Sequence, residues 1–319
     1  MSDVLDRINK AGLVPVVVIE NANNAIPAAE ALMSGGLDVM EITMRTAEGI
    51  ESIRRVKKMS PKMLVGAGTV LSVEKAAEVV EAGAEFIVSP GFNEDLVKWC
   101  LSKNLPITPG CVTPTEIDMA LKYGLHVLKF FPANVYGGIN GLSALAAPYN
   151  MVSFIPTGGI NAANLVDFAD KPFVHAIGGG WLCEKTDISE GRFEKITKTV
   201  KEAISILLGF DLAHIGINAE SEADAESVAE TFSKAFNFAK KTGASSIFAG
   251  TGIEVNKSIG LGTMGHIAIK TNNIERACNY LEKQGFAMDP ATAKQKNGKT
   301  IAVYLKDEFG SFAVHLLQK

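Results

Sequence analysis

A chain of 319 residues is longer than one hydrophobic core usually supports, so two domains are expected. Hydrophobic residues make up 47% and charged residues 21%, with a net charge of −4, which is the balance of a soluble globular protein. No basic tract offers itself to nucleic acid or an anionic membrane surface, and no apolar run reaches transmembrane length, so neither partner is expected.

Residues 1–12, MSDVLDRINKAG, carry the pattern of an amphipathic helix and lack the apolar stretch of a signal peptide. Four cysteines (Cys100, Cys111, Cys183, Cys278) are scattered without CxxC spacing and read as reduced thiols in a cytoplasmic protein. From residue 13 to about 180, short apolar strands alternate with amphipathic helices. Strands are predicted at 14–19, 38–43, 63–67, 85–89, 106–109, 126–131, 152–156 and 174–178. Helices are predicted at 25–34, 47–59, 73–82, 94–103, 114–123, 139–146 and 162–169. Such alternation builds an α/β fold on a parallel sheet, and eight strands is the number that closes a (β/α)8 TIM barrel. A doubly wound open sheet is the alternative, although no GxGxxG follows the first strand.

Glycine and proline gather where these strands end: Gly66-Ala67-Gly68-Thr69, Ser89-Pro90-Gly91, Thr108-Pro109-Gly110, Thr157-Gly158-Gly159 and Gly178-Gly179-Gly180. They read as the βα loops, the face on which barrel enzymes keep their chemistry. A helix over 190–208 closes this part, with Gly209 as its C-cap.

The sixth strand contains Val127-Leu128-Lys129-Phe130-Phe131, a lysine inside an apolar run. A buried ammonium is costly, so Lys129 is either paired, neutralised, or snorkels from a strand end to water. A lowered pKa would make it the nucleophile for Schiff-base chemistry on a ketone. The second strand reads Val39-Met40-Glu41-Ile42-Thr43, and strand alternation puts Glu41, Thr43 and Arg45 on one face. If Glu41 and Lys129 both point inward, each accounts for the other, as a structural ion pair or as a nucleophile with its acid/base partner.

The ordered set EITMRT, GAGTV, SPG, PG, LKFFPA, TGGI and GGGW resembles the 2-keto-3-deoxy-6-phosphogluconate (KDPG) aldolase family over about residues 5–208. That resemblance implies a metal-free class I aldolase on a (β/α)8 barrel, usually a homotrimer. Its substrate is a keto acid, cleaved to pyruvate and glyceraldehyde 3-phosphate in the Entner–Doudoroff pathway. Some members act on 4-hydroxy-2-oxoglutarate. It further implies Lys129 as the imine-forming lysine and Glu41 as the general acid/base. Arg45, Thr69 and Pro90 fall around the keto-acid end, Phe131 beside the lysine, and Thr157 in the pocket. Phosphate is expected on Gly158, Gly159, Gly178, Gly179 and Gly180, where backbone N–H groups meet an anion. Two positions depart from the family. Gly180 stands where many relatives carry serine, and Glu20 ends strand one where they carry lysine or arginine. Both remove help for an anion, and Glu20 opposes one.

Beyond residue 211 the pattern changes and repeats. A strand at 212–218, a helix at 222–237 and strands at 245–249 and 252–256 are followed by a strand at 264–270, a helix at 273–285 and strands near 300–305 and 311–317. The expected domains are therefore 1–209 and 211–319, the second a smaller α+β domain of paired βαβββ modules. His214 and His266 hold the same place in the two repeats, and Ile253-Glu254-Val255 aligns with Val314-His315-Leu316. The duplication resembles the vicinal oxygen chelate (glyoxalase/bleomycin-resistance) superfamily, which implies a divalent metal on His214, Glu254, His266 and His315. His315 replaces the usual final glutamate, and imidazole still ligates a divalent ion. The other reading is that these histidines are ordinary strand residues, in a sensor or assembly module. For the whole chain, the readings carried forward are KDPG-type aldol cleavage, an aldolase for unphosphorylated keto acids, and a regulatory binding protein with a degenerate barrel.

Overall fold

The structure is a computed structural model that describes residues 2–319. The chain folds into two compact units, one ending at Leu207 and the other running from Leu208 to Lys319.

In the first unit, continuous apolar runs form strands buried on both faces, as a covered parallel sheet requires. They are β1 (Leu13–Val17), β2 (Val39–Thr43), β3 (Leu64–Gly68), β4 (Phe86–Ser89), β5 (Ile107–Pro109), β6 (Val127–Phe130), β7 (Ser153–Pro156) and β8 (Ile177–Gly179). All pair in parallel. Six lie in the order β5-β4-β3-β2-β1-β8, and β6 pairs with β7. Bridges from Gly110 to Lys129 and from Thr157 to Gly178 carry the order from β5 to β6 and from β7 to β8. The eight strands thus run once round in sequence, and the expected TIM-like barrel is borne out. The N-terminal helix Ser2–Ala11 sets Ile8 into a cluster with Val14, Val39, Leu64, Phe86, Val88, Ile155 and Ala176.

Three local expectations need correction. Gly66 and Gly68 lie inside β3, and Gly178 and Gly179 inside β8, so these glycines are strand residues before they are loop residues. A Cβ on Gly66 would meet the Phe86 ring under 3.0 Å, one on Gly68 the Glu41 carboxylate, and one on Gly178 the Thr157 hydroxyl. Glycine here makes room for a neighbour's side chain. The eighth strand begins three residues later than expected, with Val174 only bridging Phe154. The helix expected at 162–169 shrinks to Val166–Ala169. Two asparagines take the backbone ahead of it: Asn164 Oδ1 accepts from the Asn161 amide and Asn161 Oδ1 from the Ala163 amide.

The helix Phe193–Leu208 leads into Gly209, which adopts a left-handed φ of 55°. The second unit is one eight-stranded sheet. Its strands are β9 (Asp211–Asn218), β10 (Lys240–Thr242), β11 (Ser246–Ala249), β12 (Ile253–Asn256), β13 (His266–Thr271), β14 (Met288–Lys296), β15 (Lys299–Leu305) and β16 (Ala313–Gln318). The order is β10-β11-β12-β9-β13-β16-β15-β14. Each half is a strand, a helix (Glu222–Phe236 or Ile274–Lys283) and three strands, with the first and last strands parallel neighbours. The halves meet where β9 and β13 run antiparallel. The duplicated module is as expected, but β10 and β14, the two edge strands, are additions to the expected strands, β14 the longer. Its residues, MDPATAKQK, are mostly exposed on a sheet edge and contain Pro290, so no apolar alternation marks them.

Candidate functional site

Strand alternation aims Glu41 from β2 and Lys129 from β6 into the barrel. Lys129 Nζ stands 3.4 Å from Glu41 Oε1, with side chains only 6% and 4% exposed. Each charge is thereby the other's compensation in a place where either alone would be costly. Lys129 Nζ also lies 5.2 Å from the centre of the Phe131 ring. Beneath the pair is a void of about 10 Å³, lined by Glu41, Lys129, Thr108 and Thr157 above an apolar floor that includes Ile8.

Above the lysine opens a cavity of about 350 Å³, bounded by Arg45, Lys129, Phe131, Thr157, Gly158 and Gly180 among others. Arg45 Nε donates to Thr69 Oγ1 at 3.2 Å, and Thr69 holds a left-handed φ of 58°, unusual for a β-branched residue. The structure therefore brings Arg45 and Thr69 together beside the lysine. Pro90 lies outside the cavity wall, exposed at the end of β4. The five expected phosphate glycines separate. Gly158 and Gly180 face the cavity, while Gly159, Gly178 and Gly179 make room for Asn134, Thr157 and Trp181.

Sequence reasoning missed part of this wall: Trp181, Cys183, Glu184 and Lys185 line it too. The available signal was their position directly after the glycine run of β8. Glu20, expected to oppose an anion, is paired with a cation, its Oε1 2.7 Å from Lys185 Nζ. Burial pushes the Cys183 thiol up to about 12, so it meets the cavity as a neutral group.

The second unit gathers another set. His214 on β9, Glu254 on β12, His266 on β13 and His315 on β16 occupy the four central strands. His214 Nε2 is 3.1 Å from His266 Nε2, and Glu254 Oε2 is 2.9 Å from the first and 3.2 Å from the second. One nitrogen from each histidine lies within 4.8 Å of the others. The sheet register explains the convergence: Gly216 faces both Glu254 and His266, and a Cβ there would strike the His266 ring under 3.0 Å. Burial raises the cost of charging the Glu254 carboxylate. Hydrogen bonds from His214, His266 and Ser246 nevertheless hold it well below the usual carboxylate range. Burial, then the neighbouring His266 and His214, push His315 down to about 4. Both His315 ring nitrogens are buried without a hydrogen-bond partner. The ring stacks on Tyr304 at 4.6 Å between centroids. Over this set lies a cavity of about 440 Å³, also lined by Lys294, Thr292 and Tyr304.

Residues 4–199 match the family profile described as KDPG and KHG aldolase, which is more than half of the chain. The chain belongs to this aldolase family. Its members are lyases. The 2-dehydro-3-deoxy-phosphogluconate aldolase of Treponema pallidum is 42% identical over 207 residues, covering 65% of this chain and 99% of that protein. The KHG/KDPG aldolase of Escherichia coli K12 is 43% identical over 192 residues, covering 60% of this chain and 90% of that one. Among solved structures, a Legionella pneumophila KDPG aldolase with pyruvate captured as a covalent carbinolamine superposes with a TM-score of 0.60 at 34% identity. The match covers 62% of this aldolase chain and 97% of that one. No helix among the described residues is long and apolar enough to cross a membrane.

Proposed function

We propose that the first unit is a class I aldolase that cleaves 2-keto-3-deoxy-6-phosphogluconate to pyruvate and glyceraldehyde 3-phosphate through an imine on Lys129. The observation that carries this is the buried Lys129–Glu41 pair, whose lysine lines the 350 Å³ cavity. The amine attacks the C2 ketone and water leaves. The iminium then accepts the electron pair of the C3–C4 bond as an enamine, so the aldol step itself needs no metal. Glu41 takes the C4 hydroxyl proton and later returns a proton to C3, and water then hydrolyses the iminium to free pyruvate and the Lys129 amine. Arg45, held by Thr69, faces the carboxylate, with Phe131 and Thr157 shaping that end, and neither Thr69 nor Pro90 has a wall position of its own.

Borohydride added with pyruvate should reduce one adduct onto each chain at Lys129. An adduct on another lysine, or none, would sink the mechanism. Lys129→Ala should abolish pyruvate release, and Glu41→Gln should slow hydrogen exchange at the pyruvate methyl while imine still forms. The competing substrate is unphosphorylated 4-hydroxy-2-oxoglutarate, in line with relatives that carry both names. The ratio of the two kcat/KM values separates these readings. The same proposal makes the protein a cytoplasmic homotrimer, which light scattering of the purified chain would check. Its four free thiols suit a reducing compartment.

For residues 211–319 we propose a separate domain carrying a divalent metal on His214, Glu254, His266 and His315. Donor atoms about 2.0–2.1 Å from one tetrahedral ion sit roughly 3.3 Å apart, close to the spacing of the first three. The orphaned His315 nitrogens supply a fourth donor whose burial is otherwise unexplained. Bound there, an ion would act as a Lewis acid facing the 440 Å³ cavity. A divalent metal that co-purifies and is lost in the double variant His214→Ala/His266→Ala would support this. Equal metal content in both proteins would leave a binding or assembly module.

A further inference from the structure

Three basic side chains line the upper cavity of the first unit: Arg45, Lys129 and Lys185. Resting on the aldolase reading, a substrate with a carboxylate at one end and a phosphate at the other needs a fixed cation for each. Lys129 is consumed by the imine. Arg45 is tethered to Thr69, on the β2–β3 side. Lys185 is the cation that remains, and it shares the wall with Gly158 and Gly180. A Cβ at Gly180 would find only the Val16 carbonyl, at 3.7 Å, so the space beside Lys185 is open to a group of some size. Of the nearby acids, Asp187 is held by Arg192 and Lys195, and Glu184 lies 3.9 Å from Lys195. Lys185 itself is paired with Glu20, at 2.7 Å, and both side chains are 52% exposed.

We propose that Lys185 holds the distal anionic group of the substrate, and that Glu20 is its resident counter-ion, displaced when a phosphate arrives. An exposed lysine–carboxylate pair is weak enough to exchange. A phosphate dianion offers the ammonium more charge and more acceptor oxygens than a single carboxylate does. Glu20 then sets a threshold: a ligand end with no charge leaves the pair intact, and only a strong anion replaces it. The two residues together determine specificity for the phosphorylated substrate and touch none of the atoms whose bonds change.

The test is the ratio of kcat/KM for KDPG over its unphosphorylated counterpart, measured on the full chain. Lys185→Met should lower that ratio about tenfold, the loss of one charge-assisted contact, chiefly through KM for the phosphorylated substrate. Lys185→Arg should restore most of it, and Glu20→Gln should raise it. Inorganic phosphate, as a competitive inhibitor, should weaken in Lys185→Met and tighten in Glu20→Gln. A ratio and a phosphate inhibition constant that stay put in both Lys185→Met and Glu20→Gln would overturn the proposal. So would losses in Lys185→Met that fall equally on both substrates. If wild-type protein traps no pyruvate under borohydride, the aldolase reading fails by itself. Calorimetric titration of inorganic phosphate into wild type and Lys185→Met would then still decide whether Lys185 holds the anion.

Discussion

Gly68 and Glu41 compete for one volume: a methyl group on Gly68 would stand under 3.0 Å from the Glu41 carboxylate on the neighbouring strand, at the same oxygen that faces Lys129. The glycine of GAGT is therefore a condition for the acid's position. Gly68→Ala should cut aldol turnover by at least tenfold, since a carboxylate displaced by about 1 Å loses its alignment for proton transfer. It should also cost about 1–3 kcal/mol of stability through overpacking. Steady-state kinetics and a urea melt read the two effects separately. Full activity in this variant would show that Glu41 has slack to move.

Gly216→Ala is the corresponding experiment in the second unit. The added Cβ would drive the His266 ring off Gly216, and with it the meeting of His266, His214 and Glu254. Bound divalent metal, measured by elemental analysis, should fall well below one per chain. Pyruvate release from KDPG should be unaffected, because the imine forms in the other unit.

Burial pushes the thiols of Cys100, Cys111 and Cys183 up to about 12, and that of Cys278 to about 11. At pH 8 the first three are then about one part in 10⁴ thiolate, against roughly a quarter for a free cysteine. Iodoacetamide should leave all three unmodified in the native protein over hours and alkylate four cysteines per chain in denaturant. Rapid native labelling of Cys183, the one against the upper cavity, would mean that this wall opens in solution.

Asp187 gives the first unit a defined response to acid. Burial works to raise its pKa, yet hydrogen bonds from Lys195 and Arg192 prevail and lower it below its ordinary value near 4. A depressed folded-state pKa contributes stability that is fully present above the unfolded value. That stability drains away as pH falls through the folded one. Asp187→Asn should lower Tm at pH 7, and the gap to wild type should close as pH drops below 4. Melting curves across pH 7 to 2 would show a constant gap if the ion pairs contribute nothing.

The catalytic candidates were readable because each breaks a local rule. Glu41 and Lys129 are single charges inside apolar strands, and a buried charge demands a partner. The barrel itself followed from eight apolar runs at helical intervals. Lys185, at the start of a short helix, obeyed every rule for an exposed lysine, so nothing in its surroundings marked it until the chain was folded. Glycine misled for a related reason: at Gly66 and Gly68 the letter that signals a turn instead clears space on the next strand, and one dimension cannot tell these apart. The edge strand β14 stayed hidden because most of its residues are exposed, on both faces, which leaves no apolar alternation to betray a strand.

Ile8 has a consequence beyond packing. It comes from the first helix, yet it lines the small void directly under Lys129 and Glu41. That helix is a stopper on the underside of the barrel, and on the aldolase reading it leaves the upper cavity as the way in for water. On that reading, water arriving from the underside would hydrolyse the adduct before the carbon–carbon bond breaks, and would also weaken the interaction between Glu41 and Lys129. A loosened stopper would therefore appear first as wasted turnover, with imine formed and released without cleavage, well before the barrel itself came apart.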